Sequence, residues 1–131
     1  MADWKVGEEV PELRVTPDKY LPHRYAGASG DFNPIHIDDE FAKAVGLPRN
    51  ILHGLYSMGL VAKANAVALA GGDPRALKRL SVQFRGMGVP EQEIVVSGTI
   101  RSVDGDRIVV DTVAAQGDTQ IIKNAEAEIQ L

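Results

Sequence analysis

Cysteine is absent from the 131 residues. That excludes disulfides, thiolate metal sites and a cysteine nucleophile, so a transition metal would have to rely on the three histidines and the carboxylates. Aromatic residues are scarce, at 5%, too few for a base-stacking platform. An excess of basic charge is missing as well. The chain carries 14 Lys and Arg against 18 Asp and Glu, a net charge of −4, which argues against nucleic acid as a partner. Long apolar runs are also lacking. The longest such stretch, Leu55 to Ala70, is interrupted by Lys63 and Asn65 and falls short of the ~20 residues of a membrane span. The first ten residues have neither the basic start nor the apolar stretch of a signal peptide. These absences together predict a cytoplasmic protein with no membrane partner. What is present is ordinary for a globular domain: 44% hydrophobic, 24% charged, without repeats or low-complexity tracts. At roughly 150 residues per domain, residues 1–131 read as a single domain.

The order of the patterns suggests an α+β domain, helical in its N-terminal half and stranded in its C-terminal half. Thr16-Pro17 reads as an N-cap and first helical position, predicting a helix from about Pro17 to Ala28 that Gly30 ends. Asp31 to Ile37 reads as a loop with an Asn33-Pro34 turn. A short helix follows, with Asp38, Asp39 and Glu40 at its positive end, and Gly46-Leu47-Pro48 stops it. Leu55 to Ala70 is apolar on nearly every side, the pattern of a helix buried in a core. After Arg79 the period changes to two. Strands are predicted over Leu80 to Arg85, from Ile94, from Ile108 and from Ile121, with turns at Asp104-Gly105-Asp106 and Gly117-Asp118. An antiparallel sheet wrapped around one buried helix is the simplest packing for these elements.

Chemistry concentrates between Tyr25 and Asp38. Asp31 and His36 lie five residues apart across the Asn33-Pro34 turn. A carboxylate and an imidazole on one side of such a turn can hold a water molecule, one group taking its proton while the other exchanges a proton with the substrate. Asn33 can orient the water or the histidine. The same residues also suit a plain surface Asx turn followed by a helix cap at Asp38. Gly27-Ala28-Ser29-Gly30 is not a G-x-S-x-G nucleophile elbow, and the loop lacks the acidic ladder of a calcium site. His23 and His53 are not at metal-ligand spacing with His36, and His23 reads as a helix-surface residue. Gly54 immediately precedes the apolar helix, where unsatisfied amides can stabilise a carbonyl oxygen that gains negative charge; a simple turn glycine is the alternative. Arg75, Lys78, Arg79 and Arg85 face a single acid, Asp73, between positions 73 and 85. They suit either the phosphates or the acidic surface of an anionic partner, or else a solvated strand edge.

Gly30-Asp31-Phe32-Asn33-Pro34-Ile35-His36, followed by His53-Gly54 and an apolar helix, resembles the hydratase-2 motif of the MaoC-like (R)-specific enoyl-thioester hydratases and dehydratases. The resemblance runs over nearly the whole chain. It implies a hotdog fold, a long helix wrapped by an antiparallel sheet. It also implies a hydro-lyase: Asp31 and His36 as the catalytic pair handling water, Asn33 in support, and the Gly54 amide as oxyanion donor. The implied reaction is reversible syn hydration of a trans-2-enoyl thioester, of CoA or of an acyl carrier protein, to the (3R)-hydroxyacyl thioester. The thioester delocalises the developing charge, so neither metal nor organic cofactor is implied. Gly72-Asp73-Pro74, Val82-Gln83-Phe84-Arg85 and Val89-Pro90 resemble the catalytic B-type subunit of paired (3R)-hydroxyacyl-ACP dehydratases. That implies a dimer, with itself or with a related hotdog subunit. One segment departs from the family: a Pro-Val-x-Pro-Gly-Asp stretch is replaced by Met87-Gly88-Val89-Pro90-Glu91-Gln92. A hotdog thioesterase and a non-catalytic acyl-thioester-binding subunit share the implied fold; the intact Asp31-x-Asn33-Pro34-x-His36 loop favours hydration.

Overall fold

A computed structural model describes residues 3–131. Five strands form one antiparallel sheet in the order β1-β3-β4-β5-β2. They are β1 (Glu9–Val15), β2 (Leu77–Phe84), β3 (Ile94–Asp104), β4 (Arg107–Gln116) and β5 (Thr119–Gln130). Four α-helices precede β2, α1 (Leu21–Ser29), α2 (Pro34–Ile37), α3 (Asp39–Ala44) and α4 (Gly54–Ala70), with a 3-10 turn, Pro74–Ala76, between α4 and β2. The 17-residue α4, about 25 Å long, lies against all five strands. Its Leu60, Val61 and Ala64 pack on Ile94, Val96, Ala114, Ile122 and Ala125 of the sheet. Asn65 is buried in that contact without penalty, because its amide donates to the Val61 carbonyl and to Thr112 Oγ1.

The predicted helix–sheet packing holds, with four corrections. The N-terminal half is not wholly helical: β1 pairs with β3 at the sheet edge, hidden in the sequence by two glutamates, an arginine and Pro11. Proline in a sheet is confined to edges, strand starts and bulges, and the register shifts between Val10 and Leu13, on either side of Pro11. The first helix starts at Leu21, not Pro17. Asp18 organises its start by accepting the Tyr20 amide at 2.8 Å and pairing with Arg24, while Pro17 is buried and its carbonyl accepts the Glu91 amide. The Asp31–Ile37 loop contains a helical turn, α2. The burial of α4 is one-sided: Leu55 is 64% and Val67 52% exposed, because one five-stranded sheet covers only one side of a helix. Both predicted hairpin turns are present, with Gly105 and Gly117 at φ +59° and +55°. In β5 the inward parity changes at Asn124, which has φ +52°, so the inward set passes from Ala125, Ala127 and Ile129 to Ile122; a second register shift against β4 falls at Ile121, which is buried as well.

Candidate active site

The loop between α1 and α3 is built from side chains that bond their own backbone. Gly30 takes the left-handed conformation at φ +81° that ends α1, its amide bonding the Ala26 carbonyl. Asp31 Oδ1 then accepts the Asn33 amide at 3.2 Å, and Asn33 Oδ1 accepts the Ile35 amide at 3.2 Å. Asn33 thereby caps α2, the single turn that carries His36, and Asp38 Oδ1 caps α3 through the Phe41 amide. The Asx turn and the Asp38 cap are real. They coexist with the pair rather than replacing it, because Asp31 uses Oδ1 for the turn and turns Oδ2 toward His36.

His36 Nε2 lies 3.8 Å from Asp31 Oδ2. This exceeds hydrogen-bond length and leaves a gap that an oxygen about 2.8 Å from both atoms can bridge. The other ring nitrogen, Nδ1, is 2.9 Å from the Ile51 carbonyl. A carbonyl only accepts, so Nδ1 carries the proton and Nε2 offers its lone pair to the gap. The Asp31 side chain is 53% exposed and that of His36 10%. The carboxylate thus faces incoming molecules while the imidazole is held from behind. Asn50, buried, donates from Nδ2 to the His36 carbonyl at 2.9 Å, and its own amide reaches Asp39 Oδ1. Lys43, foremost, and the Asn50 amide hold the Asp39 carboxyl below its ordinary value.

Gly54 opens α4 beside this pair. Its amide and that of Leu55 precede the first bond of the helix start, from Tyr56 to the His53 carbonyl, and so sit among the unsatisfied donors at the positive end of a long helix. A pocket of about 230 Å³ is lined by Tyr25, Asp31, His53, Gly54, Leu55 and Phe84. A Cβ at Gly54 would stand 3.2 Å from two carbons of the Phe84 ring, so glycine is what keeps the helix start open.

The structure brings Asp31, Asn33, His36 and Gly54 together. It does not gather the four basic residues. Arg75 lies in the 3-10 turn Pro74–Ala76 before β2, already paired to Asp73 at 3.0 Å, Lys78 and Arg79 lie near the start of β2, and Arg85 follows its other end, about 23 Å of strand away. Arg85 alone sits at the pocket end, next to Phe84. Sequence spacing missed His53. Its ring stacks on that of His36 at 3.9 Å and 21°, and with Asp31 the two histidines place one ligand-type atom each within 4.8 Å of one another. His36 Nδ1 and His53 Nε2 are engaged by carbonyls, which leaves His36 Nε2, His53 Nδ1 and the Asp31 carboxylate as the atoms a metal would have to use. Tyr25 and Phe84, also missed as site residues, are signalled only by their positions beside the motif and the β2 end. His23, as expected, is on the surface and bonds the Ile37 carbonyl.

Residues 5–123 match the family model of the MaoC like domain. The chain belongs to the MaoC-like dehydratase family. A solved MaoC-like dehydratase superposes with a TM-score of 0.91 at 32% identity, over 98% of this chain and 41% of that one, and the shared MaoC-like fold is the hotdog. Peroxisomal enoyl-CoA hydratase 2 of Arabidopsis thaliana is 39% identical over 103 residues, 79% of this chain and 31% of that protein. The enoyl-CoA hydratase ChsH3 of Mycobacterium tuberculosis is 36% identical over 119 residues, 88% of this chain and 40% of that protein. The chain therefore spans only a third to two-fifths of these MaoC-like relatives. The segment that departs from the family pattern, Met87–Gln92, is fastened in place: Gln116 bonds the Val89 amide and the Val89 and Gln92 carbonyls, and the Leu52 amide bonds the Gly88 carbonyl.

Proposed function

We propose that residues 1–131 act as a single MaoC-like domain, a hydro-lyase that adds water reversibly to trans-2-enoyl thioesters to form (3R)-hydroxyacyl thioesters. The observation that carries this reading is the 3.8 Å Asp31–His36 gap beside the amide end of α4. Water held between Oδ2 and Nε2 gives one proton to the pair as its oxygen bonds C3. The pair returns a proton to C2. Both groups act from one side of the substrate, so oxygen and hydrogen add to the same face. Electron density displaced from the double bond moves through C2 onto the thioester oxygen, where the Gly54 amide and the helix end stabilise it. Names of relatives that include enoyl-CoA hydratase support the reaction class.

The pocket of 230 Å³ is below the roughly 300–1,000 Å³ usual for a small-molecule site. It suits the reacting carbons and the carbonyl; a longer acyl chain needs further walls. A second hotdog subunit, identical or related as in the B-type pairing, would supply them, with acyl-CoA or acyl carrier protein as the carrier. Loss of the conjugated enoyl absorbance on adding the purified chain, alone and with candidate partner subunits, tests the reading. Release of free thiol with the conjugation intact would identify a thioesterase instead, and neither signal under any pairing would leave a binding subunit.

A further inference from the structure

Segment 50–53 and segment 31–36 are laced together by four bonds. His36 Nδ1 bonds the Ile51 carbonyl at 2.9 Å, and His53 Nε2 bonds the Asp31 carbonyl at 3.0 Å. The Ile51 amide bonds the Ile35 carbonyl at 3.0 Å, and Asn50 Nδ2 bonds the His36 carbonyl. Each histidine is thus held by a carbonyl from the other's segment. His53 is the member of this lacing that no role yet explains. It is 2% exposed, with one face stacked on His36 and Tyr25 4.6 Å away between ring centroids.

The protonation of the two rings follows from their partners. The Asp31 carbonyl requires a proton on His53 Nε2. His53 Nδ1 is buried and has no hydrogen-bond partner among the described residues; a second proton there would bury an unpaired N–H and a positive charge. His53 is therefore the neutral Nε2–H form, and His36, donating from Nδ1, is the opposite one. We propose that His53 is a positioning residue: as a neutral donor to the Asp31 carbonyl, it sets the distance from Asp31 to His36 and ties both to the Gly54 amide one residue along the chain. This rests on the hydratase reading for its kinetic consequence, but not for its structural one.

Two measurements test it. Ring-nitrogen NMR of the parent protein at neutral pH separates protonated from unprotonated imidazole nitrogens. His53 protonated only at Nε2 and His36 only at Nδ1 is the expected pattern; a proton on His53 Nδ1 overturns the proposal. The kinetic test compares His53→Gln, whose amide reaches the place of Nε2 and keeps the donor, with His53→Phe, which keeps a stacking ring and loses it. His53→Phe should lower kcat about 100-fold, the scale of a misplaced reacting group, with KM little changed. His53→Gln should recover to within about tenfold of the parent. Parent-like kcat in His53→Phe, or equal loss in both folded variants, overturns the role. Should neither variant fold, the nitrogen spectra of the parent still decide. A parent chain with this nitrogen pattern but no hydration under any pairing would sink the hydratase reading and leave the lacing standing.

Discussion

Asp31 divides its two oxygens between structure and chemistry: Oδ1 holds the Asn33 amide while Oδ2 faces His36. Asp31→Asn preserves the first and abolishes the second, so it separates folding from catalysis. It should lower kcat at least ~100-fold, the usual scale of acid–base catalysis, with a melting temperature near the parent's. His36→Gln should cost a similar factor. Steady-state hydration kinetics beside thermal melting checks both, and near-normal turnover in either folded variant removes that residue from the pair. Gly54 acts by lacking a side chain. Gly54→Val places a branched Cβ 3.2 Å from the Phe84 ring carbons, so it should reduce kcat/KM about 100-fold or more through loss of a well-placed carbonyl donor. Rate measurements with a short enoyl thioester would show this. An unaffected rate would move the oxyanion site away from the start of α4.

At the scale of elements, short helices aim the chemistry. α2 is a single turn and owes its existence to Asn33 at one end and to the Asn50 clamp on the His36 carbonyl. α3 supplies the next support, since Asp39 accepts the Asn50 amide and pairs with Lys43 at 3.1 Å. The Asp39 carboxyl is held below its ordinary value in the fold, by Lys43 first and then by the Asn50 amide. Its stabilising contribution is therefore complete above the unfolded carboxylate value of about 3.9 and is lost as pH falls through the lower folded value. Melting temperatures of the parent should fall across that acid range more steeply than those of Asp39→Asn. Parallel pH curves for the two proteins would show that this carboxylate does not couple to stability. β2 shows how an element redistributes a sequence cluster: Arg75 and Arg85 share a basic run but flank opposite ends of the strand.

On the scale of the whole molecule, one side of α4 is uncovered. Leu55 and Val67 are mostly exposed. An apolar groove of about 330 Å³ between α4 and the start of β2 is lined by Gly59, Ala62, Val67, Pro74 and Leu77, among others. β1 and β2 both end the sheet as open edges. An apolar helix face beside an open strand is the form of an association surface. The chain should sediment as a dimer, with itself or with a related hotdog subunit, and Val67→Glu should weaken that association at least tenfold by burying an unpaired charge. A fully active monomer at low micromolar concentration would contradict both forms of assembly.

The sequence by itself determined whatever depends on near neighbours. Gly30, Asp31, Asn33 and His36 stand within seven residues, so one turn and one cap bring the pair together and the motif is readable as written. The hairpins at Gly105 and Gly117 are local in the same way, as is the long apolar helix opening at Gly54. The tertiary structure decided what depends on distant segments meeting. His53 lies 17 positions from His36, and only the crossing of segment 50–53 over the Asp31 loop stacks the two rings. β1 is too short and too charged to announce itself, and becomes a strand because β3 offers it partners. The apolar residues of α4 declare that the helix is to be covered. Hydrophobicity carries no direction, so only the fold shows that the sheet covers one side of the helix and leaves the other exposed.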